Sequence, residues 1–185
     1  MSNNKFFLIV GLLIAVSIGF WVYMFQSPES AANTDAETIT AQTEPPTFYE
    51  PIVAEDTGER FEGDVSLTMY RSEGCDCCVK WADYLEAEGW EVTTETVSDM
   101  YPIKQENGVP GELSSCHTAL VDGYVIEGHV PIEDIRRLLA ERPDAIGLSA
   151  PGMPPNSPGM DLDVENEWQT VLFDGESMTV YNTHN

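Results

Sequence analysis

"VSLTMYRSEGCDCCVKWADYLEAEGWEVTTETV", residues 65–97, carries the reading that decides the fold. Its first eight residues alternate polar and apolar, as a half-buried strand does. From Cys77 to Glu88, the residues Val79, Ala82, Tyr84 and Leu85 fall near helical spacing, and Gly89 stops the helix. Trp90–Val97 then reads as a second strand. Strand, helix and strand in succession make a βαβ unit. Three of the chain's four cysteines, Cys75, Cys77 and Cys78, crowd the turn between the first strand and the helix.

The downstream sequence completes the pattern. Residues 100–107, "MYPIKQEN", predict a short helix with Pro102 near its first turn. Residues 117–130, "HTALVDGYVIEGHV", read as two strands joined at Asp122-Gly123, a strong hairpin signal. "PIEDIRRLLAERPD", 131–144, is a helix that opens on Pro131. Glu133 and Asp134 lie in its first turn, and Arg136, Arg137 and Arg142 toward its end, an order that suits the helix dipole. The order strand, helix, strand, helix, hairpin, helix predicts an α/β, thioredoxin-like domain. "SAPGMPPNSPGMD", 149–161, is too dense in Pro and Gly for regular structure. "WQTVLFDGESMTVYN", 168–182, reads as a further hairpin around Asp174-Gly175.

The expected domain covers residues 65–185. Ahead of it, residues 26–64 form an acidic, Ser-, Thr-, Glu- and Pro-rich disordered linker whose tail has enough apolar residues to pack on the domain edge. Residues 1–25 contain an uncharged run, Phe6–Phe25. At ~1.5 Å per residue it matches the roughly 30 Å core of a bilayer. The run is longer than a signal-peptide core, and a poor cleavage site follows it. We read a single transmembrane anchor, with a cleaved signal peptide as the competing reading. Lys5 precedes the span and acidic residues follow it, which places the domain outside the inner membrane, on the periplasmic side. Eight basic and 32 acidic residues leave a net charge of −24. That balance argues against nucleic acid, which is bound through basic contacts to phosphate. It describes a solvated acidic surface, or a field that concentrates cations.

Three roles compete for the cysteines. Cys75 and Cys78 form a C-x-x-C pair at a helix N-terminus, where the dipole favours thiolate, so a thiol–disulfide oxidoreductase is one reading. Glu73 and Asp76 oppose thiolate formation, and the proline usual before the third strand is replaced by Ser115 and Cys116. In this fold that segment passes beside the C-x-x-C turn, so Cys116 is expected to approach the other three thiols and form a metal site. The third reading is a Cys75–Cys78 staple with Cys77 and Cys116 packed as small apolar groups.

If all four thiols converge, adjacent Cys77 and Cys78 diverge by about 100° on a helix. They then suit several sulfur-bridged ions better than one tetrahedral zinc. Soft thiolates and thioethers favour Cu(I). Met153 and Met160, in the irregular loop, are further candidates. The cysteine spacing does not match that of iron–sulfur proteins. His117 and His129 lie at element ends. His117 can share a site with Cys116 only if Cys116 lies in the loop before the strand, since strand neighbours face opposite sides. His184 is expected to be free.

"CDCC" at 75–78, "GVPGELSSCHTALVDGYVIEGHVPIEDIRRLLAERPDAIGL" at 108–148 and "APGMPPNSPGMD" at 150–161 resemble the CopG-like proteins, a bacterial copper-resistance family long described only as a domain of unknown function. The likeness runs from about Val65 to Tyr181. The resemblance implies a periplasmic thioredoxin-like fold that binds copper through the C-x-C-C motif and a distant cysteine. Those positions are Cys75, Cys77, Cys78 and Cys116. It also implies a role in Cu(I)/Cu(II) chemistry. Copper ions are thus the expected cargo, with other periplasmic copper-handling proteins as expected partners.

Overall fold

A computed structural model describes residues 53–160 and 162–185. The candidate span and most of the linker lie outside the described residues. Among the described residues, no helix is long and apolar enough to cross a membrane.

Seven strands form one mixed sheet in the order β2-β1-β3-β4-β5-β6-β7. The strands are β1 (Ser66–Ser72), β2 (Glu91–Val97), β3 (His117–Val121), β4 (Tyr124–Glu127), β5 (Gly147–Ser149), β6 (Trp168–Phe173) and β7 (Met178–His184). β1 and β2 are parallel and joined through helix α1 (Asp76–Ala87). α2 (Tyr101–Glu106) and a 3-10 turn (Gly111–Leu113) lead to β3, which runs antiparallel to β1. β3 and β4 form the expected hairpin. Asp122 and Gly123 both have positive φ, 45° and 88°, which the tight two-residue turn requires. α3 (Ile132–Glu141) follows, with Pro131 at its N-cap. The C-terminal hairpin, β6 and β7, turns at the expected Asp174-Gly175.

β5 was not foreseen. It pairs parallel with β4 and antiparallel with β6, and so carries the sheet onward to the C-terminal hairpin. The main core packs α1 and α3 on one face of the sheet, through Trp81, Leu85, Ile135 and Leu138 against Leu67, Met69, Ile126 and Leu148. A smaller cluster of Leu113, Val125, Val171 and Phe173 packs separately. Trp81 is fully buried, and its indole N–H donates to the Val130 carbonyl at 2.9 Å.

The charges on α3 do more than complement its dipole. Asp134 is buried and accepts from Thr170 (2.6 Å), Asn182 (2.7 Å) and the His184 ring (2.8 Å). His184 is therefore not free. It pairs with Asp134 and stacks on Trp168 at 4.4 Å. Arg137, also buried, donates to Glu141 (2.8 Å) and to the carbonyls of Tyr181 (3.0 Å) and Ala54 (2.9 Å).

Residues 53–64 lie as a strap on this surface. Phe61 N–H donates to the Arg136 carbonyl at 3.0 Å and Ala54 N–H to the Val180 carbonyl at 3.4 Å. The Thr57 amide reaches Glu141 at 3.3 Å. Arg60 and the Gly58 amide hold the Asp56 carboxyl well below its ordinary value. Burial pushes the Glu141 carboxyl up, but hydrogen bonds from Arg137, Tyr181 and Thr57 outweigh it and hold it below 4.5. Carboxyls with lowered values stabilise above their ordinary range and lose that contribution as pH falls through the lowered one. The strap's hold is expected to be complete above pH 4.5 and to weaken below it. Hydrogen exchange, corrected for intrinsic rates, should show strap amides losing protection at acid pH before those of β1 and β3. Equal loss in both regions would contradict this assignment.

Candidate metal centre

β1 ends at Ser72, and the chain turns through Gly74 so that Cys75 becomes the N-cap of α1. This turn puts Cys77 and Cys78 on the first turn of the helix. Cys78 faces the core and is fully buried, while Cys75 and Cys77 are half-buried. Cys75 and Cys78 are joined as a disulfide, and Cys77 and Cys116 are free thiols. All four sulfurs lie within 4.8 Å of one another, with Cys75 and Cys77 at 3.6 Å. The expected approach of Cys116 to the turn is therefore observed. Two of the four thiols are spent in the disulfide, so four thiolates exist only after its reduction.

Cys116 precedes β3 rather than lying in it, which frees it from strand alternation. Its sulfur is 3.5 Å from His117 Nδ1 and 2.9 Å from His129 Nε2. Cys116, His117 and His129 form a second group whose donor atoms lie within 4.8 Å. Cys116 belongs to both groups.

The histidines are held in ligand-like states. His129 Nδ1 lies 2.7 Å from the Pro158 carbonyl, which can only accept, so Nδ1 carries the proton. His129 Nε2 then faces Cys116, the arrangement seen where a second hydrogen bond orients a metal ligand. His117 is fully buried against Trp81, ring centroids 4.4 Å apart, and edge-on to His129 at 5.1 Å. Burial, then the nearness of His129 and Lys104, pushes it far below its ordinary range, which keeps the imidazole neutral. Its Nε2 is buried with no hydrogen-bond partner among the described residues. Burial, reinforced by Cys77, pushes the Cys116 thiol up to about 12. A metal taken here must displace that proton.

The methionines divide. Met153 is 58% exposed. Met160 is half-buried and follows Gly159, whose α-carbon rests on α1. A Cβ on Gly159 would lie 2.9 Å from the Cys77 carbonyl and 2.8 Å from the Trp81 nitrogen, and φ there is +83°. The Pro/Gly loop thus lies across the start of α1, and its Pro158 carbonyl holds His129.

The sequence reading missed a charged group behind the donors. Glu127, fully buried at the end of β4, pairs with Lys104 of α2. It accepts from the Ser115 amide at 2.6 Å and the Thr118 hydroxyl at 2.7 Å. Burial pushes its carboxyl up, against the pull of Lys104. The one available signal was an acid two residues before a candidate ligand, His129.

Four sulfurs and two imidazoles at one end of a mixed sheet define a class: α/β domains with a soft-donor cluster able to hold metal. Two solved structures of a copper resistance protein, CopG in Form 2 and in Form 1, are each 38% identical to this chain. Form 2 aligns with a TM-score of 0.63 over 66% of this chain and 100% of its own, Form 1 with 0.62 over 68% and 98%. A family model described as a protein of unknown function, DUF411, matches residues 113–160, the stretch from the 3-10 turn to Met160. No curated protein sequence matches the chain. The chain belongs to the CopG copper-resistance family.

Proposed function

We propose that this chain is a copper-binding protein of metal resistance. It takes Cu(I) on the thiolates of Cys75, Cys77, Cys78 and Cys116, with His117 and His129 as nitrogen donors and Met160 and Met153 as thioether candidates. The observation that carries this reading is the double membership of Cys116, which joins an all-sulfur group to a sulfur–nitrogen group. A thiolate placed between two groups is suited to bridging ions. Soft sulfur prefers Cu(I), and imidazole also accepts Cu(II), so the mixed set is compatible with both oxidation states of copper. The name of the related structures, a copper resistance protein, points the same way. We place the domain on the periplasmic face of the inner membrane, tethered by residues 6–25. There it would exchange copper with other copper-handling proteins.

The disulfide sets the test. Reduction takes two electrons and two protons and returns two thiols. Anaerobic Cu(I) titration of chemically reduced protein, after removal of the reductant, is expected to give more than one ion per chain, with sulfur ligation in X-ray absorption. The disulfide form is expected to hold fewer. One tightly bound zinc, unmoved by excess Cu(I), would sink this reading.

The same disulfide favours a second reading, a thiol–disulfide oxidoreductase acting through Cys75 and Cys78 at the N-terminus of α1. That reading requires catalytic reduction of insulin by metal-free protein. The copper reading expects none above the rate of a free dithiol.

A further inference from the structure

Glu127 and Lys104 are a charged pair taken out of water where two apolar side chains would pack without that penalty. Their placement supplies a reason. Glu127 stands two residues before His129, and its carboxylate grips the amide of Ser115, the residue before Cys116. One carboxylate therefore ties together the two segments that carry the sulfur–nitrogen donors. Lys104, reaching in from α2, bonds both Glu127 and Thr118 (3.2 Å to the latter), and so shares with the Ser115 amide the same carboxylate oxygen. The strand register places Thr118 directly opposite Glu127, so Thr118 holds the second carboxylate oxygen. There is no slack at this junction. A Cβ on Gly128 would overlap the Ser115 side chain, and the Ser115 hydroxyl donates to the Gly152 carbonyl.

We infer that Glu127, backed by Lys104, is the positioning residue of this centre: by accepting the Ser115 N–H it sets Cys116 against His129. The inference rests on the cysteine–histidine group being the working site, and it deepens that reading without adding a ligand. An acceptor is what the position needs. Glutamine keeps an acceptor and the shape, whereas leucine removes the acceptor, leaves the Ser115 amide without it and leaves Lys104 with only the Thr118 hydroxyl.

The test uses metal-free protein with the disulfide intact, in which Cys77 and Cys116 are the free thiols and Cys77 serves as internal reference. Iodoacetamide labelling is followed by peptide mass spectrometry for the parent, Glu127→Gln and Glu127→Leu. Loss of a hydrogen bond to a charged acceptor is expected to raise the Cys116-to-Cys77 labelling ratio about tenfold in Glu127→Leu. Glu127→Gln should keep the parental ratio and, after reduction, the parental Cu(I) count. A folded Glu127→Leu with the parental ratio would overturn the inference, as would a Gln variant as disturbed as the Leu variant. If Glu127→Leu does not fold, hydrogen exchange at the Ser115 amide decides. Protection equal to that of β3 in the parent and the Gln variant supports the inference, and loop-like exchange overturns it. Absence of Cu(I) binding by the reduced parent would instead strike the copper reading and leave the labelling result standing.

Discussion

Cys116→Ser is expected to weaken Cu(I) binding about a hundredfold, roughly 2.8 kcal/mol, whereas Cys77→Ser costs about tenfold. Serine is nearly isosteric with cysteine, so the variant should fold. The difference between the two comes from geometry. Cys77 contributes to the all-sulfur group, while Cys116 contributes to that group and also to the one made with His117 and His129. Removing it takes a donor from both and leaves His129 Nε2 facing a poor ligand. Competition with a Cu(I) chelator on anaerobically reduced protein measures the two losses. If Cys116→Ser binds copper as the parent does, the shared-sulfur site is wrong, and the dithiol reading of Cys75 and Cys78 takes its place.

Arg137→Ala is expected to cost about 3–5 kcal/mol of folding stability, the range for breaking a buried, hydrogen-bonded ion pair. The guanidinium spans three acceptors, Glu141 and the carbonyls of Tyr181 and Ala54, and lies 4.0 Å from the Tyr181 ring centroid. Alanine leaves a carboxylate without its buried cation and two carbonyls without donors. Lysine should rescue little, because one ammonium cannot reproduce a planar fork on three sides. Urea denaturation measures the effect, and a loss under about 1 kcal/mol, the scale of an exposed pair, would show that this network carries little of the stability.

The elements read from local pattern were found where that pattern was strong. Alternation marked β1, helical spacing and Gly89 marked α1, and Asp122-Gly123 marked the hairpin. The meeting of Cys116 with the C-x-C-C turn followed from topology, because the segment entering β3 must pass the start of α1. β5 escaped notice because three buried residues, Gly147–Ser149, are too few to show a period. It is a strand because β4 and β6 flank it, and Gly147 fits because its α-carbon abuts the Val125 backbone. Asp134 and Arg137 read only as charges suited to the helix dipole because most of their partners, on β6, β7 and the strap, are distant in sequence. His184 read as a loose end for the same reason. Its partners lie 50 residues back on α3, at Asp134, and at Trp168 across the hairpin. Glu127 interrupts an apolar strand in a way that a solvent-facing end would also explain, and its burial depends on Lys104 and Ser115, 23 and 12 residues away.

The disulfide joins residues three positions apart. A ring that small restricts the unfolded chain little. Loop entropy assigns it about 2 kcal/mol, against about 4.7 for a loop of a hundred residues. Meanwhile Cys78, Trp81 and Leu85 keep α1 seated on the sheet through apolar contact that does not depend on the bond. Opening Cys75–Cys78 therefore changes the number of thiols on offer while leaving the architecture standing. The domain can pass between its oxidised and reduced forms without a detour through unfolding, so on the proposed copper-binding reading the bond is a reversible setting of the site rather than a brace.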